Sequence, residues 1–88
     1  MMDKGGLTKL IEECAEVIQV AAKAQALGTL GVHWDGTNLK DLLEDELADV
    51  MAATMFVAEK FNLNQGRMAA RADGKLELYH TWDEERKE

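Results

Sequence analysis

Between residues 47 and 58 the chain reads LADVMAATMFVA, with Asp49 as its one charged side chain. Wound as a helix, this stretch is apolar around nearly its whole circumference, and such a helix has to be covered on several sides. The chain has 88 residues with which to do it, enough for one domain, residues 1–88, with a small core. Short chains hide a smaller share of their apolar surface than long ones, so association between copies is the natural way to complete the cover. Met51 and Met55 are accordingly read as core or interface filler.

No proline occurs, and Ala, Leu, Glu, Lys and Met, all good helix formers, dominate. The fold expected is all-α: a short antiparallel bundle of three main helices, completed by homo-oligomerisation. Leu7, Leu10, Ile11, Cys14, Val17, Ile18 and Ala21 recur at helical spacing and predict a first helix over about residues 7–27, with Asp3 or Thr8 as its cap. Gly28, Gly31 and Gly36 in LGTLGVHWDGTN mark a loop. A second helix is predicted over about 39–61, with Asn38 as N-cap and Asp41 in the first turn. A third is predicted over about 65–79, although Asp73 and Gly74 interrupt it and KLELYHTW also alternates in the manner of a strand. Residues 83–88 read as a charged, frayed tail.

Seventeen acidic against ten basic side chains give a net charge of −7. Such a field repels a phosphate backbone and an anionic bilayer, so neither nucleic acid nor membrane is expected as a partner. A small polyanion would need a cation to screen the carboxylates it meets. No signal-like run opens the chain and no segment approaches the ~20 apolar residues of a membrane span, so a cytoplasmic protein is expected. Cys14 is the sole cysteine, which rules out an intrachain disulfide; it is read as a small buried side chain.

Two segments set acidic residues three apart inside apolar helices: EECAEVIQV at 12–20 and EDELADVM at 44–51. On a helical wheel the first apolar stripe centres on Cys14, with Glu13 roughly 100° and Glu16 roughly 160° away on one flank. The second centres on Val50, with Glu46 roughly 40° and Asp49 roughly 100° from it. Like charges at i and i+3 repel, and an unpaired buried carboxylate is costlier still. If the two helices pack antiparallel, Glu13, Glu16, Glu46 and Asp49 converge in one cleft and offer the all-oxygen ligand set that Mg²⁺ or Mn²⁺ prefers. Glu12, Glu44 and Asp45 read as solvated surface residues. The competing reading, in which all four carboxylates are also surface charges, is weakened at Glu46 and Asp49, which have no Lys or Arg three or four residues away.

EExxE followed by ExxD on the next helix, here EECAE and ELAD, resembles the signature of the MazG-like all-α nucleoside triphosphate pyrophosphohydrolases. The resemblance runs from about Leu7 to Trp82, with 29 residues between Glu16 and Glu46. It implies Glu13, Glu16, Glu46 and Asp49 as Mg²⁺ ligands, with Glu12 in support. It also implies hydrolysis between the α and β phosphates to a monophosphate and pyrophosphate, and assembly as homodimers or tetramers. Metal-held carboxylates suit that reaction, and Glu13 or Glu16 is the candidate base.

Arg71 and Lys75, four apart on the third helix, can point the same way and meet phosphates; each reads equally well as a solvated cation. Lys9, one turn before Glu13, can reach the same mouth or form an ordinary ion pair. Trp34, Tyr79 and Trp82 are candidates to stack on a base, or else apolar plugs. Two rival readings stand beside the hydrolase. One is a di-iron carboxylate bundle built on Glu77 and His80 of ELYH; the other is a non-enzymatic helical interaction module.

Overall fold

The structure is a computed structural model that describes residues 4–86. Three helices follow one another, α1 (Lys4–Leu27), α2 (Leu39–Lys60) and α3 (Gln65–Arg86), with no strand among the described residues. None of the helices is long and apolar enough to cross a membrane.

Packing of α1 on α2 holds the fold. Gly6 lies against Phe56 and Lys60, Glu13 shares a cleft with Asp49, and Val20 shares another with Leu42, so the two helices run antiparallel. The side chains buried between them are small: Val20, Ala53, Val57 and Ala58, with Leu39 fully enclosed at the start of α2. Gly28, at φ 70°, ends α1 in the left-handed conformation a glycine takes without strain. The loop then folds back, bridging Val32 to Asn38, and Leu39 N donates to Gly31 O at 3.1 Å. Asn38 caps α2 as its sequence predicts, its side chain accepting from Asp41 N at 3.1 Å.

Several expectations change. α1 starts at Lys4, which places Thr8 within the helix; Asp3, the other candidate cap, lies outside the described residues. The face of α1 turned to α2 carries Gly6, Glu13 and Val20, whereas Cys14 is exposed and Ile11 and Ile18 are 69% and 66% exposed. One neighbouring helix covers only part of a wide apolar stripe, so the other part stays open. The same holds for α2, where Leu47, Met51 and Met55 are exposed because α3 makes no extended contact with α1 or α2.

α3 is a single unbroken helix through Asp73, Gly74 and KLELYHTW, and it continues across Asp83 to Arg86, where a frayed tail was expected. Its first turn is capped by Asn64, which accepts from Arg67 N at 2.9 Å. A Cβ at Gly74 would meet nothing within 4 Å, so Gly74→Ala is expected to stabilise the chain by about 0.5–1 kcal/mol through lost unfolded-state entropy. Urea unfolding of the two chains checks it.

Candidate metal centre

The antiparallel register of α1 and α2 sets the third turn of one against the middle of the other. Glu13 and Glu16 therefore meet Glu46 and Asp49, and one carboxylate oxygen from each of the four lies within 4.8 Å of all the others. Oxygens on opposite sides of an ion held at ~2.1 Å stand ~4.2 Å apart, and at ~2.5 Å they stand ~5 Å apart. The cluster has the dimensions of one coordination sphere.

Burial is uneven. Glu13 is 6% exposed; Lys9 Nζ sits 3.0 Å from its Oε1, while its Oε2 is buried with no hydrogen-bond partner among the described residues. Glu46 is half-buried and its Oε2 is likewise without a partner. Glu16 and Asp49 are exposed and form the open rim. Two buried carboxylate oxygens without a partner among the described residues, beside two more carboxylates, favour a cation or a proton between them. The Glu46 carboxyl shows the strain as a shift from its ordinary 4.5 up to about 7: hydrogen bonding with the Glu16 side chain contributes most, then desolvation, then repulsion from Glu16, Asp49 and Glu13. An all-oxygen set of this kind could hold a hard divalent cation.

Beside the cluster opens a cleft of about 400 Å³ lined by Lys9, Glu13, Asp49, Ala52, Ala53 and Phe56. The Lys9 ammonium is held above its ordinary range by the hydrogen bond to Glu13 and by attraction to that carboxylate. Lys9 is thus both an ion-pair partner and a wall of the cleft. Phe56 was not singled out in the sequence; its place seven residues after Asp49, two helical turns along one face, is the signal that could have found it.

The remaining candidates lie elsewhere. Arg71 borders a separate hollow with Leu63, Asn64, Arg67 and Met68, and Lys75 and Tyr79 are exposed on α3, which does not reach the cluster within one chain. Trp34 stands 88% exposed in the α1–α2 loop with the His33 ring 5.4 Å away. Tyr79 and Trp82 pair at 5.4 Å on α3. Glu77 and His80 are also exposed there and take no part in the acidic cluster.

Fold and site together define a helical hairpin with a four-carboxylate, cation-ready cleft and a third helix standing off it. No family model, curated protein or solved structure matches the chain.

Proposed function

We propose that Glu13, Glu16, Glu46 and Asp49 hold Mg²⁺, with Mn²⁺ as a substitute, and that the chain hydrolyses a nucleoside triphosphate to the monophosphate and pyrophosphate. The observation that carries the reading is the pair of buried, unpartnered oxygens, Glu13 Oε2 and Glu46 Oε2, within a cluster of four carboxylates. The MazG-like pattern EECAE and ELAD supplies the reaction. Bound Mg²⁺ would offset the triphosphate charge and lower the pKa of a water.

The chain's own residues divide the remaining work. Glu16 is exposed at the rim and is the carboxylate best placed to take the proton of the attacking water. Glu13, enclosed and tied to Lys9, serves as a fixed ligand. Lys9, at the wall of the cleft, receives a phosphate. As the water oxygen bonds to the α phosphorus, the bond from that phosphorus to the bridging oxygen breaks, and pyrophosphate leaves with its electron pair. Arg71, Lys75 and Tyr79 can join the phosphates or the base only from another copy or after α3 moves. Self-association as dimers or tetramers and a cytoplasmic location belong to the same reading.

A panel of nucleoside triphosphates with Mg²⁺, scored for pyrophosphate, tests it; release of single phosphates, or of none, rules the reaction out. Lys9→Gln is expected to raise KM by up to about 5-fold, the scale of one solvent-exposed charge contact with a phosphate. Steady-state kinetics on the preferred nucleotide check this.

A further inference from the structure

The acidic cluster accounts for one end of the cleft, and an aromatic ring stands at the other. Along α2 the lining runs from Asp49 through Ala52 and Ala53 to Phe56, seven residues or ~10 Å of helix. Charge is confined to the first part: Glu13 and Asp49 belong to the cluster, and Lys9 is paired with Glu13. Past them the walls are two alanine methyl groups and the Phe56 ring, with no hydroxyl or amide side chain among the lining residues.

Phe56 stands outside the buried core. Its neighbours Val57 and Ala58 are buried, while Phe56 is 49% exposed. It is nevertheless held in place. A Cβ built on Gly6 would lie 3.5 Å from Phe56 Cε2, so the α1 backbone passes close beside the ring, and Lys60 Nζ lies over it at 5.0 Å from the centroid. A ring fixed by its neighbours and half open on a cleft receives a flat ligand at little ordering cost. Trp34, Tyr79 and Trp82, the aromatic residues that the sequence singles out, do not line this cleft, whereas Phe56 does.

We infer that Phe56 is the platform on which the nucleobase stacks, with Ala52 and Ala53 leaving room for the ribose between the ring and the metal end. The inference rests on the nucleotide reading above and places the part of the substrate that reading leaves without a contact. An α phosphate at the carboxylates puts the base, one ribose further along the cleft, at the ring. Stacking is indifferent to the edges of a base, since every base has a π face. A site that rejects particular bases does so through polar groups that the wrong base leaves unpaired, and the lining beyond Lys9 has no such side chain. The substrates are therefore a broad class of nucleoside triphosphates sorted by stacking area, purines above pyrimidines and adenine close to guanine.

Titration calorimetry of the full chain in Mg²⁺ with two uncleavable probes tests the inference. One is α,β-methylene ATP; the other is the bis-methylene analogue of tripolyphosphate, which keeps the phosphorus chain and lacks sugar and base. The wild type is expected to bind the nucleotide more tightly than the base-free probe, and to bind α,β-methylene CTP less tightly than the ATP analogue. Phe56→Ala is expected to weaken α,β-methylene ATP by about 5- to 150-fold, the range of one base–aromatic stack, and to leave the base-free probe within about twofold. Phe56→Tyr, which keeps the ring, is expected to retain nucleotide binding. Equal losses for both probes in Phe56→Ala would mark the ring as structural, and unchanged nucleotide binding would take the base off it; either result overturns the inference and leaves the nucleotide reading standing. If neither probe binds the wild type, that reading itself fails. Should Phe56→Ala lose its helical circular dichroism, the wild type still decides: equal affinity for the two probes, or a pyrimidine analogue bound more tightly than the purine, overturns the inference.

Discussion

Glu46→Gln is expected to lower pyrophosphate release by more than about 100-fold, because groups that merely support a metal ligand are already worth 10–100-fold, while the metal-free variant melts at a higher temperature than its parent near neutral pH. The two signs are opposite for one reason. In the parent, the Glu46 carboxylate is pressed against Glu16, Asp49 and Glu13, and only a cation or a proton relieves it. The Gln amide keeps the shape, removes the charge and can donate to Glu16 as a protonated Glu46 does, so the folded metal-free chain gains. It loses an anionic ligand in the same stroke. The melting temperature of the variant should also stop responding to Mg²⁺, since a ligand raises the midpoint only if the folded state binds it. Full activity in a folded variant would remove Glu46 from the site; a lower metal-free melting temperature would show that its carboxylate is satisfied by something else.

The pH dependence is the second large effect. Glu46 titrates near 7 in the folded chain and at about its ordinary 4.5 when unfolded, so between these values the folded state holds more protons than the unfolded one. Stability then falls as pH rises through that window, and the whole cost is present above about 7. This is the reverse of a carboxylate held by a cation of the protein. A metal ion must displace the same proton, so Mg²⁺ affinity should climb as pH passes through about 7. Thermal melts of metal-free protein from about pH 5 to 8 should decline, and added Mg²⁺ should restore the loss chiefly at the upper end. A flat profile without metal contradicts the crowding of these carboxylates.

The parts of the fold readable in the sequence are those with a local physical signal. Asn38 begins α2 because its side chain can meet the Asp41 amide, an arrangement confined to four residues. The four carboxylates could be brought together on paper because i, i+3 spacing and an antiparallel hairpin fix their relative heights. What the wheel misplaced was the buried face of α1. Its stripe centre, Cys14, is exposed and Glu13, set off to one flank, is enclosed. An apolar side chain records that it avoids water, not which surface shields it, so a stripe wider than the single helix contact yields a false centre. α3 shows the complementary failure. Asp73 and Gly74 are poor helix formers, but a capped helix of 22 residues absorbs a cost of about 1 kcal/mol at Gly74 without breaking.

On the proposed reading, four side chains from α1 and α2 share one divalent cation. The most direct measurement is an anomalous-difference map from crystals of the protein grown in Mn²⁺, whose scattering identifies the ion without reference to the refined side chains. One strong peak enclosed by Glu13, Glu16, Glu46 and Asp49 is expected. Crystals that place Mn²⁺ elsewhere, or show these carboxylates turned apart toward solvent with no peak between them, would contradict it.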